Sequence, residues 1–322
     1  MKVNAPVTLG RRLFPRCIHD RAGSRMLFVL TLIPCILLLT ITVALMVKAL
    51  PLLQEHTLVS LLAGKDWKPM KGLFGFLPFI SATLWVSVLA LIIAVPPSLL
   101  AAVYLAEYAG KALRSFMKPV LDLLAAIPSV IYGVWGMLVI VPWVQNRVLP
   151  IAAQLPDGFP LLKTDNPTGF GILSGAIVLA VMVVPFIIAV TNEVLSAVPQ
   201  GIRHASLAVG ATRLQTIQRV LLPSTMPGIF ASVVLGFSRA LGETMAVLMV
   251  VGNVAQMPQS ILDAAYPLPA LIANNYGEMM SIPMYDSALM GAALILLVMV
   301  LLLNISSTLI LRRLMGRVRR AW

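Results

Sequence analysis

The chain has 322 residues, 59% hydrophobic and 11% charged, with a mean hydropathy of +0.95. That excludes a soluble domain of this size and makes an integral membrane protein the direct reading. The formal net charge of +12 does not point to nucleic acid, because the basic residues lie in short clusters beside apolar runs, where they set topology.

Residues 1–25 carry Lys2, Arg11, Arg12, Arg16, Arg21 and Arg25. They read as a cytoplasmic tail with a short surface helix near Phe14 to Asp20, not as a cleavable signal peptide. Apolar runs then predict six membrane spans at 26–50, 78–105, 120–144, 171–194, 227–251 and 286–311, each near the roughly 20 residues a bilayer requires. Pro96-Pro97 predicts a kink in the second span. The external loop 51–77 holds Trp67 with Lys65, Lys68 and Lys71, a local exception to the charge rule. A short connection with Lys111, Arg114 and Lys118 reads as cytoplasmic. The proline-rich stretch 145–168 is expected to be irregular, and 252–285, without Lys or Arg, to be a partly ordered external segment.

Between the fourth and fifth runs, residues 191–223 read TNEVLSAVPQGIRHASLAVGATRLQTIQRVLLP. A loop this long between spans is uncommon unless it folds and does something. Its spacing predicts two short helices joined at Gly210. Pro199 is placed to open the first, since a missing N–H costs nothing in a first turn. Gly210 takes the left-handed conformation that ends it. Thr212 and Gln215 form a T-x-x-Q capping box for the second helix, in which Leu214, Ile217 and Leu221 share one face.

The fifth run, GIFASVVLGFSRALGETMAVLMVVG, contains two charges. Arg239 lies about 11 residues past Gly228, or roughly 16 Å along a helix, near the bilayer midplane. Placing it there costs on the order of 3 kcal/mol, so it is expected to have a partner, and Glu243 one turn away is the candidate. Two readings stay open. The charges form a structural ion pair, or Arg239 offers its donor fork to a passing oxyanion while Glu243 orients it. Ser238 and Thr244 join them in a stretch thinned by Gly236, Ala240 and Gly242. Glu107, Asp122 and Glu193 fall near span ends, where a solvated or capping role is expected.

His19, His56 and His204 are scattered, so no metal site is expected, and Cys17 and Cys35 are too few for a disulfide framework. Extramembrane segments of about 30 residues are too short for an independent core. No G-x-x-x-x-G-K-[ST] phosphate loop occurs, so a nucleotide site would belong to another protein. The reading divides the chain into a tail at 1–25, a six-helix transmembrane domain at 26–312 with a cytoplasmic loop at 195–223, and a basic cytoplasmic tail at 313–322. Its fold class is all-α and polytopic.

Ala205, Ser206, Gly210, Val220, Leu222 and Pro223 resemble the EAA loop of ABC-importer permeases, E-A-A-x3-G-x9-I-x-L-P. His204 stands where the glutamate is usual, and Ser206 where an alanine is. LLAAIPSVIYGVWG at 123–136, IVLAVMVVPFIIAV at 177–190 and GFSRALGETMAV at 236–247 resemble the phosphate importer permeases, the PstC type more closely than the PstA type. The resemblance implies a type I (MetI-like) permease fold in the bacterial cytoplasmic (inner) membrane, with both termini cytoplasmic. It implies that the hairpin docks on a separate ATPase through the six residues above. A PstS-type binding protein would deliver phosphate, a PstA-type permease would complete the pathway, and two PstB-type ATPases would carry ATP and Mg. This chain would bind no cofactor and would not itself be an enzyme. Permeation of another oxyanion (molybdate, sulfate, phosphonate), ion-coupled secondary transport and a phosphate-sensing scaffold stay open as alternatives.

Overall fold

The computed structural model describes residues 16–154, 156, 160–278, 282 and 284–318. Lys2, Arg11, Arg12 and Phe14 of the expected tail, and Arg319 and Arg320, lie outside them. Among the described residues six helices are long and apolar enough to cross a membrane: Gly23–Glu55, Leu77–Tyr108, Ser129–Ala153, Ile172–Ser196, Arg213–Leu241 and Tyr285–Arg313. By contacts the chain divides at residue 47. In the first unit, residues 1–47, the apolar side chains Leu27, Phe28, Ile36 and Leu39 are exposed, as suits a surface solvated by lipid.

In the second unit the fourth span is central, with 67% of its most apolar stretch buried against 33% in the second span. Those two spans pack on each other. Ala82, Val86, Ala90 and Ala94 repeat every fourth residue, and so form one small-residue ridge along the second span. They share a core with Ala176, Leu179, Val183 and Ile187 of the fourth. Lipid is as apolar as these side chains, so close backbone approach does the work here. A Cβ on Gly136 would come within 2.4 Å of Val178 Cγ2, and one on Gly236 within 2.9 Å of Ile187 Cγ1. Pro96, Pro97 and Pro185 sit inside their helices without ending them.

A second core closes one end of the bundle. Trp67, on a two-stranded hairpin, packs edge-on against Phe79 at 5.0 Å and Phe74 at 5.5 Å, and joins Leu268, Leu271 and Leu289. The 252–285 segment is more deeply folded than expected. Residues 264–271 are all buried, and a helix spans Leu268–Asn275. Backbone carbonyls of Val250, Asp263 and Ile261 accept from Gly171, Ile172 and Leu173, and so satisfy N–H groups at the start of the fourth span. Burial holds the Tyr266 phenol above its usual range, although Asn274 and Asn275 both donate to its oxygen.

Three spans differ from the sequence reading. The first belongs to one continuous helix, Arg16–Glu55, so the surface helix expected near Phe14 to Asp20 is, over its described residues, the start of that helix and not a separate element. The third begins at Ser129, not near 120, because Pro128 pushes Ile127 out of the helical region (ψ 128°) and leaves Lys111–Ala126 as a separate helix. It also runs to Ala153, through π turns at Gly136–Ile140 and Val144–Val148, where an irregular stretch was expected from 145. The fifth begins at Arg213, so the second hairpin helix is the start of that span and not a separate element. A π turn at Ile217–Leu221, closed by Leu222 N–H on Ile217 O, widens the helix just before Pro223, which has no N–H to give.

Candidate functional site

Arg239 does not lie midway along an unbroken helix. The fifth span ends at Leu241, Gly242 caps it, and a short helix resumes at Met245–Leu248. The guanidinium is therefore in a last helical turn, where the dipole favours a cation. It is half-buried, its Nη2 donates to Ala125 O at 3.2 Å, and it lies over the Phe186 ring at 5.5 Å. Ala125 O is itself an orphan, one of the last carbonyls of Lys111–Ala126 released by the break at Pro128. Its neighbour Leu124 O is taken by Tyr132 Oη at 2.8 Å. Two helices thus break at one place, and Arg239 bridges them. Among the described residues Ala125 O is the one hydrogen-bond acceptor for this guanidinium, which leaves the rest of its donor fork open.

Glu243 is not its partner. Among the described residues no ion pair joins the two, and Glu243 Oε1 accepts instead from Ala246 N–H at 3.2 Å, at the start of the short helix. The expected pairing needs helical geometry from 239 to 243, and the helix stops at 241. Ser238 Oγ lies 2.7 Å from Oδ1 of Asn304 on the sixth span, a residue the sequence did not single out. Thr244 Oγ1 donates to Gly242 O at 3.3 Å within the break. Of the small residues, Gly236 and Ala240 are buried in packing while Gly242 is exposed.

The hairpin between the fourth and fifth spans is built from caps. Pro199 is the N-cap, one position earlier than expected, of a helix at Gln200–Ala208. At its other end Gly210 adopts φ +87°, Gly210 N–H bonds Leu207 O, and Ala211 N–H bonds Ser206 O. That is the Schellman pattern, which needs a residue tolerant of positive φ at this position. The Thr212–Gln215 capping box is present in both directions. Ser206 is buried and shares a 2.9 Å hydrogen bond with Thr216, so its hydroxyl ties the two limbs together. His204, Ala205 and Pro223 are exposed, Val220 and Leu222 half-buried. Ile217 and Leu221 turn inward, but Leu214 does not. Ile202, Leu207, Val209 and Leu214 form an exposed apolar set, with Val209 85% exposed.

Over residues 98–320 the chain matches the family of binding-protein-dependent transport system inner membrane components. It belongs to that family. The chain is 37% identical over 247 residues to a phosphate transport system permease protein PstC of Mesorhizobium japonicum, covering 76% of this chain and 75% of that one. It is 38% identical over 257 residues to the PstC of Pasteurella multocida, covering 79% and 80%. Among solved structures, a chain of the inward-facing MetNI methionine ABC transporter aligns at TM-score 0.57 and 20% identity, over 77% of this chain and 99% of that one. A chain of a bacterial alginate ABC transporter aligns at TM-score 0.60 and 19% identity, over 92% and 98%. At that identity the two structures speak for the fold alone.

This inner membrane component holds a charged cluster that sequence reasoning missed. Glu107, expected to be solvated or capping, is buried at 8% exposure in a π turn, Tyr104–Tyr108, that ends the second span. Arg203, equally buried, sends Nε and Nη2 to its Oε1 at 3.0 and 2.9 Å. The carbonyls of Leu105 and Ala106 accept from Arg114, and that of Glu107 from Arg213, whose guanidinium lies 5.0 Å from the Tyr108 ring centre. The available signal was weak: Arg203 precedes the His-Ala-Ser triplet by one residue, and Glu107 ends an apolar run.

Proposed function

We infer that this chain is the permease subunit of an ATP-driven phosphate importer, a multi-pass protein of the inner membrane. The observation that carries the reading is the Arg239 guanidinium, held by one neutral carbonyl where two helices break and not neutralised by Glu243. An oxyanion is a stronger acceptor than a carbonyl, since charge-assisted hydrogen bonds are about twice as strong as neutral ones. Arriving phosphate takes donors of the fork, and Ala125 O stands ready to take Arg239 back when the anion leaves. Ser238, Glu243 and Thr244 belong to the same stretch of pathway. The names of the relatives support phosphate as the substrate.

The hairpin within 195–223 docks on an ATPase subunit of the PstB type through Ala205, Ser206, Gly210, Val220, Leu222, Pro223 and the exposed apolar side chains around them. A PstA-type permease completes the pathway, a PstS-type protein delivers the anion, and ATP and Mg stay on the ATPases. Both termini and the hairpin face the cytoplasm, supported by the arginines flanking the first and sixth spans. Residues 26–312 then form the permease domain between tails at 1–25 and 313–322.

The test is labelled-phosphate uptake by cells lacking this chain, with and without its reintroduction, in the presence of unlabelled sulfate, molybdate or phosphonate. Restored uptake that only phosphate competes away is the expected result. Restored uptake competed equally by another oxyanion, or none with the partners present, overturns it.

A further inference from the structure

The inner end of the second span is held by the hairpin. A helix end leaves carbonyls that need donors, and a buried carboxylate needs a cation. Both needs are met here by arginines, and two of the three come from the hairpin region. Arg203 on the first limb holds the Glu107 carboxylate, and Arg213 at the start of the second limb holds the Glu107 carbonyl. Arg203 also donates through Nη2 to Leu195 O at 2.8 Å and through Nη1 to Val198 O, beside the end of the fourth span. One guanidinium therefore joins the hairpin to the ends of two spans that already share a core.

We propose that Glu107 and Arg203 are the positioning pair that delivers a displacement of the hairpin to the second span, so that hairpin, second span and fourth span move as one body. The fifth span follows the hairpin through a continuous helix and needs no such device. The second span has no chain continuity with the hairpin; its core with the fourth span holds it along its length, and this cluster ties its end directly to the hairpin. The proposal rests on the hairpin being the element that the ATPase moves.

The assembled importer, reconstituted in vesicles, tests it with two readouts. Phosphate taken up per ATP hydrolysed should fall about tenfold or more in Glu107→Gln, the size of a lost coupling free energy, with assembly and ATP hydrolysis retained. Glu107→Asp keeps the charge and should recover part of that ratio. In parallel, spin labels at Val209 and Lys111, both exposed, report the separation of the hairpin from the chain just after the second span. ATP should leave that separation unchanged in the parent and change it in Glu107→Gln. An unchanged uptake ratio, an unchanged separation in the variant, or loss of assembly in Glu107→Gln overturns the proposal. A parent that moves no phosphate but keeps its label separation on ATP addition refutes the substrate and not this link. A hairpin that never responds to ATP, seen from label pairs reaching the ATPase, refutes the coupling reading and this proposal with it.

Discussion

Arg239 and Arg203 do the same chemistry in two places and end in opposite states. Each donates to carbonyls left over where a helix stops. Arg203 is buried, and its donors go to a carboxylate and two carbonyls. Arg239 is half-buried and has one carbonyl. A guanidinium whose fork is filled fixes helices to each other, while one with open donors is available to a ligand. The difference is set by a nearby carboxylate: Glu107 reaches Arg203, and Glu243 turns away to a backbone N–H.

The largest effect should come from the open site. Arg239→Gln removes the charge and the fork, and labelled-phosphate uptake should fall by about a hundredfold or more while the subunits still co-purify, since a lost charged hydrogen bond at a binding step is worth several kcal/mol. Uptake near the parent level would remove Arg239 from the pathway. Glu107→Gln comes next, and acts on uptake per ATP and not on anion recognition. Raising external phosphate should therefore not rescue it.

Gly210→Val follows. A Cβ there meets nothing within 4 Å, so the effect is conformational, a β-branched residue at φ +87° costing about 1–3 kcal/mol. Co-purification of the ATPase should drop, whereas Gly210→Asn should keep most of it. Equal behaviour of Val and Asn would mean that the Schellman turn does not matter for docking. Glu243→Gln retains an acceptor for Ala246 N–H and should reduce uptake less than Arg239→Gln does. An equal loss would give its charge a part in the anion path and narrow the contrast between the two sites. Ser206→Ala is the smallest, about 1 kcal/mol in thermal unfolding of the complex with uptake nearly unchanged, because only one neutral hydrogen bond to Thr216 is lost.

Much of the hairpin was legible from spacing, because caps are local. Thr212 and Gln215 lie three residues apart and Gly210 acts within one turn, so no distant partner is needed to form either device. The unusual arginine in the fifth span was equally visible, because a charge in an apolar run stands out whatever surrounds it. The partner of that arginine was not. A pairing at four residues assumes an unbroken helix, and only the folded chain shows that the helix ends first, at Leu241 with Gly242 as its cap. Glu107 and Arg203 are 96 residues apart. Nothing in either segment's periodicity names the other.

By itself, then, the sequence determined six apolar runs of membrane length, a capped hairpin between the fourth and fifth, and a charge out of place in the fifth. These depend on transfer of side chains to lipid and on hydrogen bonds within a turn, and both are properties of short stretches of chain. Tertiary structure alone decided which prolines end a helix and which are carried inside one, and which arginine reaches the carbonyls left over. A buried charge is settled by whatever group comes within about 3–4 Å of it, and that depends on how distant segments pack.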